Sequence, residues 1–243
     1  MKTTPRSVAL VFFLLFTFSV QAQIVPSPYE IGLQVGIGVY NGDITSTVLD
    51  SYRTPGGFIG INGSRKLSKK FALRADISFG HLHASDSNFS APEYKRQRNF
   101  GFRTSVTETS LKLVWKPIGE DNLMIPYFFG GVGYDFIKIT RDFSKFNADF
   151  FFANPELRAG LAEDTAQKLP NNLLTLPIGI GFRYAISDRL SLSLETTYNI
   201  TNSDYLDGFS KAANPKRKDR YATHTIGLIY SFAGKNLLAC PRK

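Results

Sequence analysis

The sequence predicts an all-β chain: an eight-stranded antiparallel transmembrane β-barrel with long extracellular loops. Three observations predict it. Apolar residues recur with a period of two in one segment after another, the connections between segments alternate short and long, and a secretory leader opens the chain. The 243 residues contain 21 Phe, 11 Tyr and 20 Gly, and the mean hydropathy is only −0.12. Strands with one half-polar face have that composition, and disordered chains and helical bundles do not.

Lys2 and Arg6 form a basic start, Val8 to Val20 is apolar or hydroxylic, and Val20-Gln21-Ala22 offers a small residue for cleavage. The apolar run is shorter than the roughly 18 residues of a spanning helix. We therefore expect residues 1–22 to be a cleaved signal peptide and 23–243 the mature domain, with a retained anchor as the alternative. No helix-length apolar segment follows Ala22, and no Cys follows the cut until Cys240 in the final tail. A lone Cys excludes an internal disulfide.

The first strand is the clearest. In Tyr29 to Asp43 the residues Tyr29, Ile31, Leu33, Val35, Ile37 and Val39 form an oily face, and Glu30, Gly32, Gln34, Gly36, Gly38 and Tyr40 form one that is polar, small or aromatic. The second strand is expected over Gly56–Arg65 and the third over Phe71–His83. The fourth is expected over Ser105–Lys116 and the fifth over Ile125–Ile139. Leu173–Ile186, Leu190–Ile200 and Tyr221–Phe232 complete the set. Leu67–Lys70, Pro117–Asn122 and Ser187–Arg189 are short connections. Asp43–Pro55, Ala84–Thr104, Thr140–Asn172 and Thr201–Arg220 are long. Tight periplasmic turns and long outer loops are the layout of an outer-membrane barrel, and an even strand count returns both ends to the periplasm. A secreted sandwich, the alternative, has no reason to lengthen every second connection.

The polar face carries Glu30, Arg74, Asp76, Glu108, Lys112, Asp135, Arg183 and Glu195. On a sandwich these would be a solvated surface. In an eight-stranded barrel they converge on a lumen that side chains fill, and they are expected to pair there as a charge network, because buried charge is costly without a partner. Inward glycines on the first, fifth and sixth strands should make room for long Arg and Tyr side chains. Trp115 and Tyr184 lie beside short turns on the apolar face, where an aromatic girdle belongs.

The formal net charge is +9, and +7 once the two charges of Lys2 and Arg6 are subtracted. The excess gathers in Lys95, Arg96, Arg98 and Arg103 and again in Lys211, Lys216, Arg217, Lys218 and Arg220. An exported chain has no nucleic acid to meet. Lipid and lipopolysaccharide of the outer membrane are the expected contacts, with Lys95, Arg96, Arg98, Lys216, Arg217 and Lys218 as basic loops facing lipopolysaccharide phosphates. No catalytic motif, metal spacing or cofactor-binding loop appears, so no cofactor is expected and the chain reads as non-enzymatic. His81, His83, Ser85 and Asp86 at the exit of the third strand are the one arrangement suggestive of a rim enzyme. His224 reads as a rim residue.

Specific residues add a likeness. Tyr40-Asn41-Gly42-Asp43, the run Phe71 to Asn88, Arg98-Asn99-Phe100 with Phe102-Arg103, Pro126-Tyr127, Leu176-Pro177-Ile178-Gly179-Ile180-Gly181 and Ser203-Asp204-Tyr205-Leu206-Asp207-Gly208-Phe209-Ser210 together span nearly the whole mature chain. In these the chain resembles the outer-membrane barrels of Bacteroidota known as the domain-of-unknown-function 6089 family, with Asp204, Tyr205, Leu206 and Asp207 as the most specific part. Gly208 and Phe209 stand where many relatives have a second acid and Val. The resemblance implies a barrel without catalysis. In its PorG-like members it implies association with periplasmic parts of the type IX protein-secretion machine.

Overall fold

The structure, a computed structural model, describes residues 28–42, 44–45, 51–88, 92–213 and 218–232. The expected signal peptide, Asp43, Lys216, Arg217 and Cys240 lie outside the described residues. The strands are β1 (Tyr29–Asn41), β2 (Gly56–Lys66), β3 (Phe71–Ser85), β4 (Gly101–Trp115), β5 (Met124–Asp142), β6 (Asn172–Ala185), β7 (Leu190–Thr201) and β8 (Arg220–Ser231). Each pairs antiparallel with the next, and β8 returns to pair with β1, so the sheet is a closed barrel. Closure removes every sheet edge, which is what allows strands to cross a bilayer.

Alternation along each strand sorts the side chains by chemistry. Leu33 is 62% exposed, Val132 62% and Leu176 52%, whereas Arg74, Asp76 and Asp135 are 4%, 3% and 0% exposed. This is the inverse of a water-soluble protein, in which exposing a large apolar side chain forgoes about 1.5–3 kcal/mol. The apolar positions form one continuous belt from Ile31, Ile59 and Phe79 round to Ile180 and Leu228. Trp115 lies on its periplasmic edge with Phe128, ring centroids 5.6 Å apart, and Tyr184 lies on the same edge. Two of the short turns share one device. The hydroxyls of Ser68 and Ser187 accept backbone N–H groups two and three residues on, at 3.0–3.4 Å.

Among the described residues, two α-helices of a full turn or more lie within segments that the sequence pattern leaves as loops. Helix α1 (Glu93–Arg98) ends at Asn99, whose φ of 50° is the left-handed conformation that Asn tolerates. Helix α2 (Pro155–Ala166) starts with Pro155 at its first position and with the Asn154 side chain accepting the Leu157 N–H at 3.1 Å. Both belong to the extracellular loops.

Inside the barrel, glycines create niches for aromatic rings more than for arginines. A Cβ on Gly38 would lie 2.2 Å from the Phe58 ring and one on Gly80 2.4 Å from it, so that ring occupies the space left on both neighbouring strands. Gly181 does the same for Tyr127, at 2.4 Å.

Candidate functional site

The lumen is built in tiers. Nearest the short turns, Glu30 of β1 accepts Arg183 Nη1 of β6 at 2.8 Å and the Ser231 hydroxyl at 2.6 Å, with Lys66 Nζ at 3.2 Å. Lys66 also reaches Glu120 at 2.9 Å, and Lys116 pairs with Glu120. Burial pushes the Lys116 ammonium below its ordinary value, while Glu30 and Glu120 draw it back up.

In the middle tier Arg74 of β3 spans the lumen to Glu195 of β7 with two bonds, 2.5 and 3.0 Å, and its Nε donates to Asp76 at 3.1 Å. Tyr127 donates to the same Glu195 at 2.6 Å, and the Arg74 guanidinium lies 4.6 Å from the Phe129 ring. Lys112 bridges upward, 3.7 Å from Asp76 and 3.4 Å from Glu108. The third tier is centred on the Tyr221 hydroxyl, 3.1 Å from Glu108 and 2.9 Å from Asp135, with Ser110 and Thr175 donating to those two carboxylates.

All eight residues expected in the lumen are there and buried. The pattern missed Lys66, Lys116 and Glu120, which extend the network into the periplasmic turns. Among the described residues, two small lumen cavities of about 30 and 20 Å³ are bounded by Glu30, Arg74, Lys116 and Arg183 and by Gln34, Glu108, Lys112 and Glu195. Each has room for a water or two, and neither is a channel.

Above the third tier the β7–β8 loop folds into the barrel mouth. Leu206, Asp207 and Phe209 are at most 1% exposed. The Tyr40 hydroxyl lies 2.7 Å from Asp207 and 2.6 Å from Asp219, and Asp219 accepts the Leu206 N–H at 2.9 Å. Thr104 donates to the Leu206 carbonyl at 2.6 Å, Arg141 to that of Gly208 at 3.0 Å, and Phe209 stacks on Phe100 with centroids 4.4 Å apart. Gly208, at φ 85°, makes the turn that brings Phe209 under the loop.

Asp164 on α2 accepts the N–H groups of Ser210, Lys211 and Ala212 at 3.1, 3.1 and 2.8 Å, and the Tyr205 hydroxyl at 3.3 Å. Burial and the Asp164 charge raise the Tyr205 phenol above its ordinary value. The segment Asp204, Tyr205, Leu206 and Asp207 is thus the loop that closes the extracellular mouth. Of its main anchors, Tyr40 stands in the sequence on the inward face of the first strand and in the Tyr40-Asn41-Gly42-Asp43 likeness, whereas Asp164 was not marked by the sequence pattern.

Two basic residues require correction. Lys95 and Arg98 do not face lipopolysaccharide: they are 2% and 5% exposed. Helix α1 turns them inward, where Lys95 donates to the Ile44 carbonyl at 2.6 Å and Arg98 forks onto Asp86 at 2.7 and 2.9 Å. Burial opposes the Arg98 charge, and the bonds to Asp86 outweigh it and hold the guanidinium above its ordinary value. Arg96 and Lys218 are exposed.

The rim arrangement is not assembled either. Asp86 is held by Arg98 and the Phe100 N–H, Ser85 faces Ser87 at 2.8 Å, and the His81 and His83 rings stack 5.7 Å apart on the outer wall. His224 also faces outward, between the hydroxyls of Thr196 at 3.0 Å and Tyr52 at 2.8 Å. Among the described residues no group of His, Cys, Asp and Glu could hold a metal ion.

Comparison with solved structures returns other barrels. Neisserial surface protein A (NspA) aligns with a TM-score of 0.49 at 10% identity over 84% of this chain and 97% of that one. A major outer membrane protein from Thermus thermophilus aligns at 0.46 and 14% identity, over 83% and 98%. Ail, the attachment invasion locus protein of Yersinia pestis, aligns at 0.46 and 9% identity, over 85% and 99%. A search of curated proteins returns no match. The family model described as outer membrane protein beta-barrel domain matches residues 8–232, nearly the whole sequence. With its edge-free wall, apolar belt and charged interior, the chain belongs to the outer membrane protein beta-barrel domain family.

Proposed function

We propose that this barrel is a non-enzymatic structural component of the outer membrane that docks protein partners through its capped outer face and its periplasmic turns. The observation that carries this reading is the filled lumen. Cross-strand ion pairs such as Arg74–Glu195 and Arg183–Glu30 occupy the space a solute would need. The resemblance of Tyr40-Asn41-Gly42-Asp43 and Asp204-Tyr205-Leu206-Asp207 to PorG-like barrels narrows the partners to periplasmic components of a type IX secretion machine in a Bacteroidota cell.

Cross-linking in native membranes followed by detergent extraction tests this. Recovery of secretion-machine components, together with loss of secreted cargo on deletion, is the expected result. A barrel recovered alone from cells that secrete normally would overturn the machine role. A small porin, the competing reading, would require steady conductance in planar bilayers, and the filled lumen leads us to expect none.

A further inference from the structure

Directly beyond the apolar belt, the outer wall of three neighbouring strands turns from oily to cationic. Phe79 of β3, Thr107 of β4 and Phe136 of β5 share one pairing row. Two residues further toward the long loops the row is His81, Ser105 and Lys138, and the next outward row is His83, Arg103 and Thr140. Strand alternation puts all six on the face that carries Ile77, Phe79 and Phe136, pointing away from the lumen. Arg103 and Lys138 are diagonal neighbours on adjacent strands, about 7–8 Å apart at the backbone. Both are exposed, and neither makes an ion pair among the described residues. The nearest acid on this face is Asp142, one outward row beyond Thr140, where it accepts the Ser144 N–H at 2.9 Å.

We propose that this patch is a binding site for the phosphate of an outer-leaflet glycolipid. Arg103 and Lys138 would grip the phosphate, His81, His83 and Ser105 would supply further polar contacts, and the acyl chains would lie on Ile77, Phe79 and Phe136. Three features carry the assignment: two unpaired cations within reach of one phosphate, their place at the extracellular border of the belt, and the large apolar surface continuous below them. A soluble anion would have no use for that apolar surface, so the ligand is a phosphate attached to a lipid. The site is distinct from the loop residues Lys95 and Arg98, whose charges are already engaged.

Native mass spectrometry of the full barrel in detergent tests the site, using bisphosphorylated lipid A, the same lipid stripped of phosphate, and inorganic phosphate as competitor. The wild type should retain the bisphosphorylated lipid. Arg103→Ser with Lys138→Ser should weaken it on the order of 30-fold, taking about a fivefold loss per cation at a lipid surface. The exposed outer-loop pair Arg158→Ser with Lys168→Ser, on and just after helix α2, should leave it unchanged, and heat-modifiable gel mobility reports that each variant is folded. Unchanged retention by the Arg103/Lys138 variant, equal retention of the dephosphorylated lipid, or displacement by millimolar inorganic phosphate would each overturn the proposal.

Discussion

Arg74 and Glu195 meet across the barrel axis from strands β3 and β7, bonded twice at 2.5 and 3.0 Å. Neither is more than 7% exposed. Removing one partner strands the other charge, along with Asp76, in a place shut off from bulk water. Arg74→Ala should therefore destabilise the barrel by about 3–5 kcal/mol. The measurement is urea-dependent folding into lipid vesicles, read from Trp115, the sole tryptophan of the sequence. Replacing both partners by apolar residues, Arg74→Met with Glu195→Leu, should recover much of the loss. An equal or larger loss in the double variant would show that the pair stabilises beyond its own geometry.

The loop cap should open before the barrel does. Tyr40→Phe removes the hydroxyl shared by Asp207 and Asp219 while keeping the ring that packs edge-on against Phe102, with centroids 4.7 Å apart. A hydrogen bond to a charged group contributes about 1.5–3 kcal/mol. We expect faster proteolytic nicking between residues 203 and 213 with unaltered heat-modifiable mobility. Nicking at the wild-type rate would mean that Asp164, Thr104, Arg141 and the Phe100 stack hold the loop without Tyr40.

The same loop should respond to alkali. The Tyr205 phenol is raised above its ordinary value of 10.0 in the folded loop, by burial first and the Asp164 charge second. A raised value means that the folded loop holds the proton more tightly than the open one. The stabilisation is thus fully present below pH 10.0 and is lost as the pH rises through the folded value. Protease sensitivity of the loop should climb above that pH in the wild type, because the ionised phenol loses its donor to Asp164. Tyr205→Phe, which cannot ionise, should remove this component of the climb.

Gly80→Val should be costly although it adds only a small apolar side chain. Its Cβ alone would lie 2.4 Å from Phe58, whose ring is already flanked by Gly38 on β1. Overpacking of this kind costs about 1–3 kcal/mol. Vesicle-folding titrations should show the loss, and Phe58→Leu in the same chain should relieve part of it.

The wall of the barrel was legible in the sequence because a period of two leaves no freedom. Once Phe71, Leu73, Ile77 and Phe79 face lipid, Arg74 and Asp76 must face the lumen. Strand ends were less legible. β4 begins at Gly101 rather than Ser105, and β5 runs on to Asp142 past Ile139. Their added residues include Arg103 and Thr140 among the outward ones, and their polarity reads as loop when it belongs to a wall standing clear of hydrocarbon.

The loops were read least well, since local pattern does not say which way a short helix turns its charges. Lys95, Arg96 and Arg98 form one basic run in sequence, yet only Arg96 remains at the surface, because Asp86 and the Ile44 carbonyl claim the other two. Asp86 sits twelve residues before Arg98. Nothing in that spacing marks the pair before the chain has folded back. The lumen ends were missed for a similar reason: Glu120 lies in a turn, where no alternation assigns a face.

The seam between β1 and β8, paired from Glu30 with Ser231 to Asn41 with Arg220, has a consequence for how long the molecule lasts. Every strand is flanked on both sides, so a degradative enzyme finds no fraying ribbon to seize. Dismantling has to begin by unzipping one whole ladder within the bilayer, where the freed amide groups would meet only hydrocarbon. The lifetime of the folded chain in the cell should accordingly be set by how rarely that seam parts.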